Sequence, residues 1–66
     1  MVTINAWWDE DVDGNYYLCL DSEDSQGNDC PEELEGRWIR EGLPALKQKA
    51  EALDLRVWIG EEDRFV

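Results

Sequence analysis

The chain has 66 residues, with 17 Asp and Glu against 6 Lys and Arg and no histidine, for a net charge of −11. A chain of this length buries only about 60% of the surface that its unfolded form exposes, which excludes a second core and predicts a single domain over residues 1–66. Its four tryptophans and recurring aliphatic residues argue against intrinsic disorder. No apolar run reaches the roughly 18 residues of a membrane span, so we expect a soluble, cytoplasmic protein.

The first two elements are predicted to be strands joined by a turn. Apolar and polar residues alternate over Val2–Trp8 and again over Tyr16–Asp21, which is the period of a half-buried strand. The even-numbered side chains of both segments, Tyr16 included, are expected to face the core. Residues 9–15 lie between them and end in Asp-Gly-Asn, residues that accept a positive φ, so a hairpin is predicted.

A helical region is predicted after the polar loop at residues 22–29. Pro31 suits the first turn of a helix, and Glu32 and Glu33 suit the positive end of the helix dipole. Pro44 cannot donate to the carbonyl of Arg40, so a kink or a junction of two helices is expected near residues 41–43. One apolar stripe, spaced by three or four residues, comprises Leu34, Trp38, Ile39, Leu43, Leu46, Ala50 and Leu53.

A third strand is predicted over Leu55–Ile59, with Arg56 and Trp58 facing outward and Gly60 ending it. Phe65 is expected to fold back from the final segment. The class is therefore α+β, and a right-handed return through the helix would place strand three beside strand one. We predict a three-stranded antiparallel sheet in the order 2-1-3, with a kinked helix or two helices on one face, ββα(α)β.

Negative charge is concentrated in the first half of the chain. Residues 1–36 hold eleven carboxylates and no Lys or Arg, whereas residues 37–66 hold six of each sign. Such a surface repels nucleic acid and membranes and attracts basic protein grooves, although an acidic face can also serve solubility alone. The candidate partner-binding acids are Asp9, Glu10, Asp11, Asp13, Asp21, Glu23, Asp24, Asp29, Glu32 and Glu33, with Glu35 beside them.

These carboxylates are expected to be strung along an edge, because the 9–15 turn and the 22–29 loop lie at opposite ends of the hairpin. Duplex DNA carries one charge per roughly 1.7 Å of axis, and a line of carboxylates can imitate that ladder for a groove lined with Lys and Arg. The hypothesis is a DNA mimic.

In its size, its charge and its clusters Asp9-Glu10-Asp11, Glu23-Asp24 and Glu32-Glu33, the chain resembles small acidic inhibitors made by bacteriophages. These include anti-CRISPR proteins and DNA-mimic anti-restriction proteins. The resemblance implies a protein that acts in the host cytoplasm and occupies the DNA-binding or PAM-reading surface of a bacterial defence complex. The implied partner is a basic nucleic-acid-binding protein or complex.

A calcium-binding loop is one alternative. Asp9, Asp11, Asp13 and Asn15 place oxygen ligands at alternate positions, and Gly14 stands where such a loop turns sharply. Twelve positions from Asp9, however, lies Leu20 instead of a bidentate Glu, and both flanks are predicted strands. An acidic turn without metal is the other interpretation.

A second alternative uses aromatic residues on the outer face of the sheet. Trp7, Tyr17 and Trp58 are predicted to line up there beside Arg56. Contiguous exposed aromatics are common anchors of protein interfaces, and they also stabilise small sheets as cross-strand pairs. This face could bind a partner or a second copy, so the protein is expected to be a monomer or a homodimer.

The sequence does not favour an enzyme or a cofactor-binding protein. Histidine is absent, both serines lie in one loop, and Cys19 and Cys30 have no base partner and no C-x-x-C spacing. Two reduced thiols are expected, and a disulfide between them is the alternative for an exported chain.

Overall fold

A four-stranded sheet with one helix on one face forms the protein in the computed structural model, which describes all 66 residues. The strands are β1 (Val2–Glu10), β2 (Tyr16–Leu20), β3 (Leu55–Ile59) and β4 (Arg64–Phe65), in the order β2-β1-β3-β4. The helix α1 spans Leu43–Ala52, and single 3-10 turns occupy Glu32–Leu34, Arg40–Gly42 and Gly60–Glu62. The α+β class and the order 2-1-3 are confirmed. No helix is both long and apolar enough to cross a membrane.

The prediction of a three-stranded, wholly antiparallel sheet is wrong, because β4 adds a fourth strand and because β1 and β3 are parallel. The cause of the parallel pairing is a second reversal of the chain after β2. The backbone continues beyond Leu20 alongside β1 as far as Ser25, whose N–H donates to the Thr3 carbonyl. It then turns and returns along the outer edge of β2, where Trp38 and Leu18 exchange two backbone hydrogen bonds. Because of this return segment (residues 29–39), α1 runs in the direction opposite to the one it would have if it followed β2 directly. The strand after the helix, β3, is therefore parallel to β1.

The predicted helix from Pro31 is also wrong, as is the expected kinked or doubled helix. Only one 3-10 turn forms there, and the chain is extended at Glu35. Gly36 follows with a φ of +107°, a value that a helix does not contain. Trp38 is bound to β2 in the manner of a strand residue, and its indole N–H donates to the Leu34 carbonyl at 2.9 Å. Pro44 lies in the first turn of α1, where a backbone N–H has no acceptor within the helix, so the missing N–H of proline costs no hydrogen bond.

The core lies between α1 and the inner face of the sheet. Strand alternation places Ile4, Leu18, Val57 and Ile59 under the helix, as predicted. Tyr16 lies on the same face but is 64% exposed, because the helical layer does not extend over that end of the hairpin, so its predicted core position is wrong. The stripe is buried at Leu34, Leu43, Leu46 and Ala50, whereas Ile39 and Leu53 are exposed. Phe65 folds back into β4 opposite Trp58, as expected.

Candidate functional site: an acidic edge and an open sheet face

Two turns of the same sequence pattern, Asp-x-x-Gly-Asn, stand at opposite ends of the long hairpin. They comprise residues 11–15 and residues 24–28. In each turn the Asp side chain accepts the N–H groups of the residues two and four positions later, at 2.8–3.1 Å. In each, the glycine has a φ of +82° and donates to the Asp carbonyl at 3.0 Å. The first reversal was predicted from the sequence and the second was not, although both turns have the same Asp-x-x-Gly-Asn pattern.

The carboxylates of Asp11 and Asp24 are therefore part of the turns and are half-buried. The N–H of Asn15 is the main reason that the pKa of Asp11 lies below its usual value, because hydrogen bonds stabilise the charged form. These two acids fix backbone geometry, and they are poorer candidates for direct partner contact than their neighbours. Asp21 is half-buried as well.

The other eight acids of residues 1–36 are exposed, and they follow the β2 side of the molecule. The distance between the ends of the hairpin, from Thr3 to Glu10, is seven residue steps, or about 23 Å at the usual rise of a strand. The return segment carries four of these acids between the two turns. The exposed acids are Asp9, Glu10, Asp13, Glu23, Asp29, Glu32, Glu33 and Glu35.

None of the eleven acids of residues 1–36 forms a salt bridge. Both salt bridges of the protein involve Glu62, which binds Arg40 and Arg64 at 3.0 and 2.7 Å. The structure thus brings the predicted acids to one side and leaves them uncompensated. We define this acidic edge as the eleven carboxylates of residues 1–36, which lie on the two Asp-x-x-Gly-Asn turns, on the residues beside them and on the return segment.

Glu62 is the centre of a polar cluster that the sequence analysis did not identify. Its carboxylate accepts from Arg64, Arg40 and the indole of Trp8, which together lower its pKa to about 2. Arg40 also lies over the Trp8 ring, 4.4 Å from its centroid. The neighbouring Glu61 accepts the backbone N–H of Trp8 at 2.7 Å, where β3 has ended and β1 lacks a ladder partner. No local pattern signals this cluster, because Trp8 and Glu62 are 54 residues apart.

Two of the four predicted calcium ligands, Asp9 and Asp11, accept backbone N–H groups. Asp11 accepts the N–H groups of Asp13 and Asn15, which are the residues expected to share the ion with it. Asp9 accepts the N–H of Glu10. No group of three or more Asp, Glu, Cys or His side chains in the chain is arranged to hold a metal ion. The hydrogen bonds of Asp11 are those of an acidic turn, and calcium binding by this loop stays a prediction.

The outer face of the sheet carries no covering layer, and the predicted aromatics lie on it. Trp7 is opposite Cys19, Trp58 is opposite Asn5, and Tyr17 is opposite Asp9, so the three rings are staggered over the face instead of forming a straight row. Phe65 adds a fourth ring, edge-on to Trp58 with centroids 4.8 Å apart. Trp7 is 43% exposed and Phe65 39%.

Arginines cover two of these rings. Arg37 lies 4.3 Å from the Tyr17 ring centroid, and Arg56 lies 4.5 Å from that of Phe65. Arg56 was expected beside Trp58, and it instead reaches the β4 ring and the Thr3 hydroxyl. The open face is thus an aromatic surface with cations at two of its margins, and we refer to Trp7, Tyr17, Trp58 and Phe65 as the aromatic face.

The two cysteines lie on opposite sides of the sheet. Cys30 is part of the core, whereas Cys19 is half-buried on the aromatic face, and both are free thiols. Burial is the main cause that raises the pKa of each thiol, with nearby carboxylates adding to it. The sheet between them separates the two sulfurs, which favours the expectation of reduced thiols over a disulfide.

No protein-family model, curated protein sequence or solved structure matches this chain.

Proposed function

We propose that this protein acts by binding the basic, nucleic-acid-binding surface of a protein partner, with its acidic edge in the place of a DNA backbone. The observation that carries the proposal is the uncompensated acidic edge, in which eight exposed carboxylates lie between and around two turns about 23 Å apart. That length corresponds to about seven base pairs at 3.4 Å each. Eight charges over this length are about one per 2.9 Å, against about one per 1.7 Å for a duplex, so a groove lined with Lys and Arg would meet a comparable though less dense row of negative charge.

The acidic edge also suits such a partner because it is rigid. The turns are closed by side-chain and backbone hydrogen bonds, and the return segment is anchored by buried Leu34 and by Trp38. Carboxylates on a preformed edge lose little conformational freedom on binding, and their long-range field speeds encounter with a cationic partner. The proposed class of function is that of an inhibitor that competes with nucleic acid.

A matched pair of variants tests the proposal. The edge variant carries Asp13→Asn, Glu23→Gln, Asp29→Asn and Glu33→Gln, which neutralise four exposed acids and keep both turn aspartates. The control variant carries Glu41→Gln, Glu51→Gln, Asp54→Asn and Asp63→Asn, which change the net charge by the same amount in the other half of the chain. Asn suits Asp54 and Asp63 because both have a positive φ.

Each variant is immobilised and exposed to bacterial lysate, and bound proteins are eluted with rising salt and with a 20-base-pair duplex. The wild type and the control should retain nucleic-acid-binding proteins that the duplex displaces, and the edge variant should lose them. Equal retention by the edge and control variants, or retention that the duplex does not affect, would contradict the DNA-mimic proposal.

A second candidate function is partner binding through the aromatic face, and the absence of any covering layer over Trp7 and Phe65 favours it. Trp7→Thr keeps a good strand former on the outer face, and Tyr16→Thr is the matched control on the other side of the sheet. Binding through this face would resist salt and would be lost with Trp7→Thr only. Self-association through it would appear as a molecular mass that rises with concentration.

A further inference from the structure

A groove runs between α1 and the β3–β4 edge, on the side of the sheet remote from the acidic edge. It consists of two adjoining cavities of about 410 and 360 Å³, which share Lys47 and Val66 as lining residues. Cavities of this size accommodate small organic ligands. The larger cavity is mainly apolar and is lined by Met1, Ala50, Leu55, Val57, Phe65 and Val66, with Lys47, Glu51 and Arg56 completing it.

Lys47 differs from every other Lys and Arg side chain in the chain. The other five each contact an aromatic ring or the Glu62 carboxylate. Lys47 contacts neither, although the chain carries 17 carboxylates. Two ammonium groups without an internal partner therefore line the groove: Lys47 lines both cavities, and the N-terminal Met1 lines the larger one.

From this juxtaposition of a free ammonium group and an apolar cavity, we infer that the groove binds an amphipathic monocarboxylate. Its aliphatic chain would occupy the larger cavity, and its carboxylate would pair with the Lys47 ammonium at the junction. The residues that line the groove carry four cationic side chains, Lys47, Arg40, Arg56 and Arg64, against the single carboxylate of Glu51, so an anionic head group is favoured there over a cationic one. The apolar lining excludes water from the aliphatic chain, which supplies the remaining attraction.

The acidic edge does not prevent such an anion from binding. The groove lies beside β4 and the acidic edge beside β2, at opposite ends of the order β2-β1-β3-β4. Three strand spacings of about 4.8 Å separate the outer strands by about 14 Å, which exceeds the Debye length of about 8 Å at physiological salt. The site is thus independent of the proposed function at the acidic edge, and its test does not depend on that proposal.

Decanoate, kept below its micellar concentration, is the probe for this inference. It is titrated into the isotopically labelled protein at physiological salt, and amide and methyl shifts are followed by NMR. Saturable shifts are expected at Ala50, Leu55, Val57 and Val66, which line the groove, and no shifts are expected at Leu18 on the far side of the core. Decyltrimethylammonium, with the same alkyl chain and the opposite charge, should bind at least tenfold more weakly.

Lys47→Gln and Lys49→Gln are the matched variants, since both change an exposed lysine on α1 and only Lys47 lines the groove. Lys47→Gln should raise the dissociation constant of decanoate about tenfold, as expected for the loss of one charge-assisted hydrogen bond, and Lys49→Gln should leave it unchanged. Saturation of wild type but not of Lys47→Gln supports the inference. Equal affinity of the two variants, equal affinity for the two surfactants, or no saturable shift would overturn it.

Discussion

The two edges of the sheet treat charge in opposite ways. Along the acidic edge, eleven carboxylates form no salt bridge, and eight of them are exposed. At the β4 edge, a single carboxylate, Glu62, is shared by two arginines and an indole. Charge therefore contributes to the stability of the fold on one side, and on the other side it is left available to solvent or to a partner. The predictions below separate these two uses of charge.

The largest expected effect concerns the apolar anchor of the acidic edge. Leu34 is fully buried, so Leu34→Ala should destabilise the protein by about 3 kcal/mol through lost burial and a cavity. Ile39→Ala, at a site that is 57% exposed, should change stability by less than about 0.5 kcal/mol. Urea unfolding followed by tryptophan fluorescence measures both, with Leu34→Met as a variant that retains the volume. Similar effects at the two sites would mean that the return segment does not anchor the edge.

Glu62→Gln should give the next largest effect, a clear fall in the urea midpoint at pH 7. Because the folded pKa of Glu62 is about 2 against an ordinary value of 4.5, its contribution to stability is present above pH 4.5 and declines as the pH falls towards 2. The difference between wild type and Glu62→Gln should therefore shrink over that range. Glu41→Gln, which removes an exposed carboxylate without a side-chain partner, should show no such pH dependence. A difference that stays constant with pH would contradict the role of the cluster.

Smaller losses are expected in the two Asp-x-x-Gly-Asn turns. Asp11→Ala and Asp24→Ala each remove an acceptor of two backbone N–H groups and should lower the melting temperature by a few degrees. Asn at either position keeps a side-chain oxygen and should recover most of the loss. Asp13→Ala and Asp29→Ala remove exposed carboxylates outside these bonds and should leave the melting temperature unchanged or slightly higher, because they relieve repulsion. Circular dichroism at neutral pH compares the four sites.

Added salt should have the smallest effect. Raising sodium chloride from about 10 mM to 0.5 M should increase the melting temperature by a few degrees, because it screens repulsion between unpaired carboxylates. The edge variant should show a weaker salt dependence than the control variant, although the two have the same net charge. Equal salt dependence would indicate that the total charge matters and its position does not.

Local sequence patterns predicted the strands well, because the alternation of apolar and polar residues that marks a strand involves only residues adjacent in the chain. The alternation over Val2–Trp8 and Leu55–Ile59 identified β1 and β3 and their inner faces, and Gly14 marked the first turn. The same reasoning failed at residues 31–42, where helical spacing and Pro31 suggested a helix. Gly36 and the pairing of Trp38 with β2 outweighed that local preference, because tertiary hydrogen bonds and burial of Leu34 are available only in the extended path.

The candidate sites divide in the same manner. The acidic residues and the outward positions of Trp7, Tyr17 and Trp58 were readable from composition and period two. The hydrogen bonds that hold Asp11 and Asp24 within their turns were not predicted, because their charge alone does not distinguish them from the neighbouring acids. The unpartnered state of Lys47 has no sequence signal at all, since it depends on where the other carboxylates lie.

From its residues alone, this chain was determined to be an α+β domain with its net negative charge in the first half, because alternation and composition are local properties. Only the tertiary structure decided the parallel pairing of β1 with β3, the Glu62 cluster and the groove beside Lys47. Each of these three features brings together residues that are far apart in the chain, such as Trp8 and Glu62. Their proximity depends on the second chain reversal after β2, which sets the direction of α1 and β3. A sequence pattern confined to neighbouring residues carries no information on the direction in which β3 runs relative to β1.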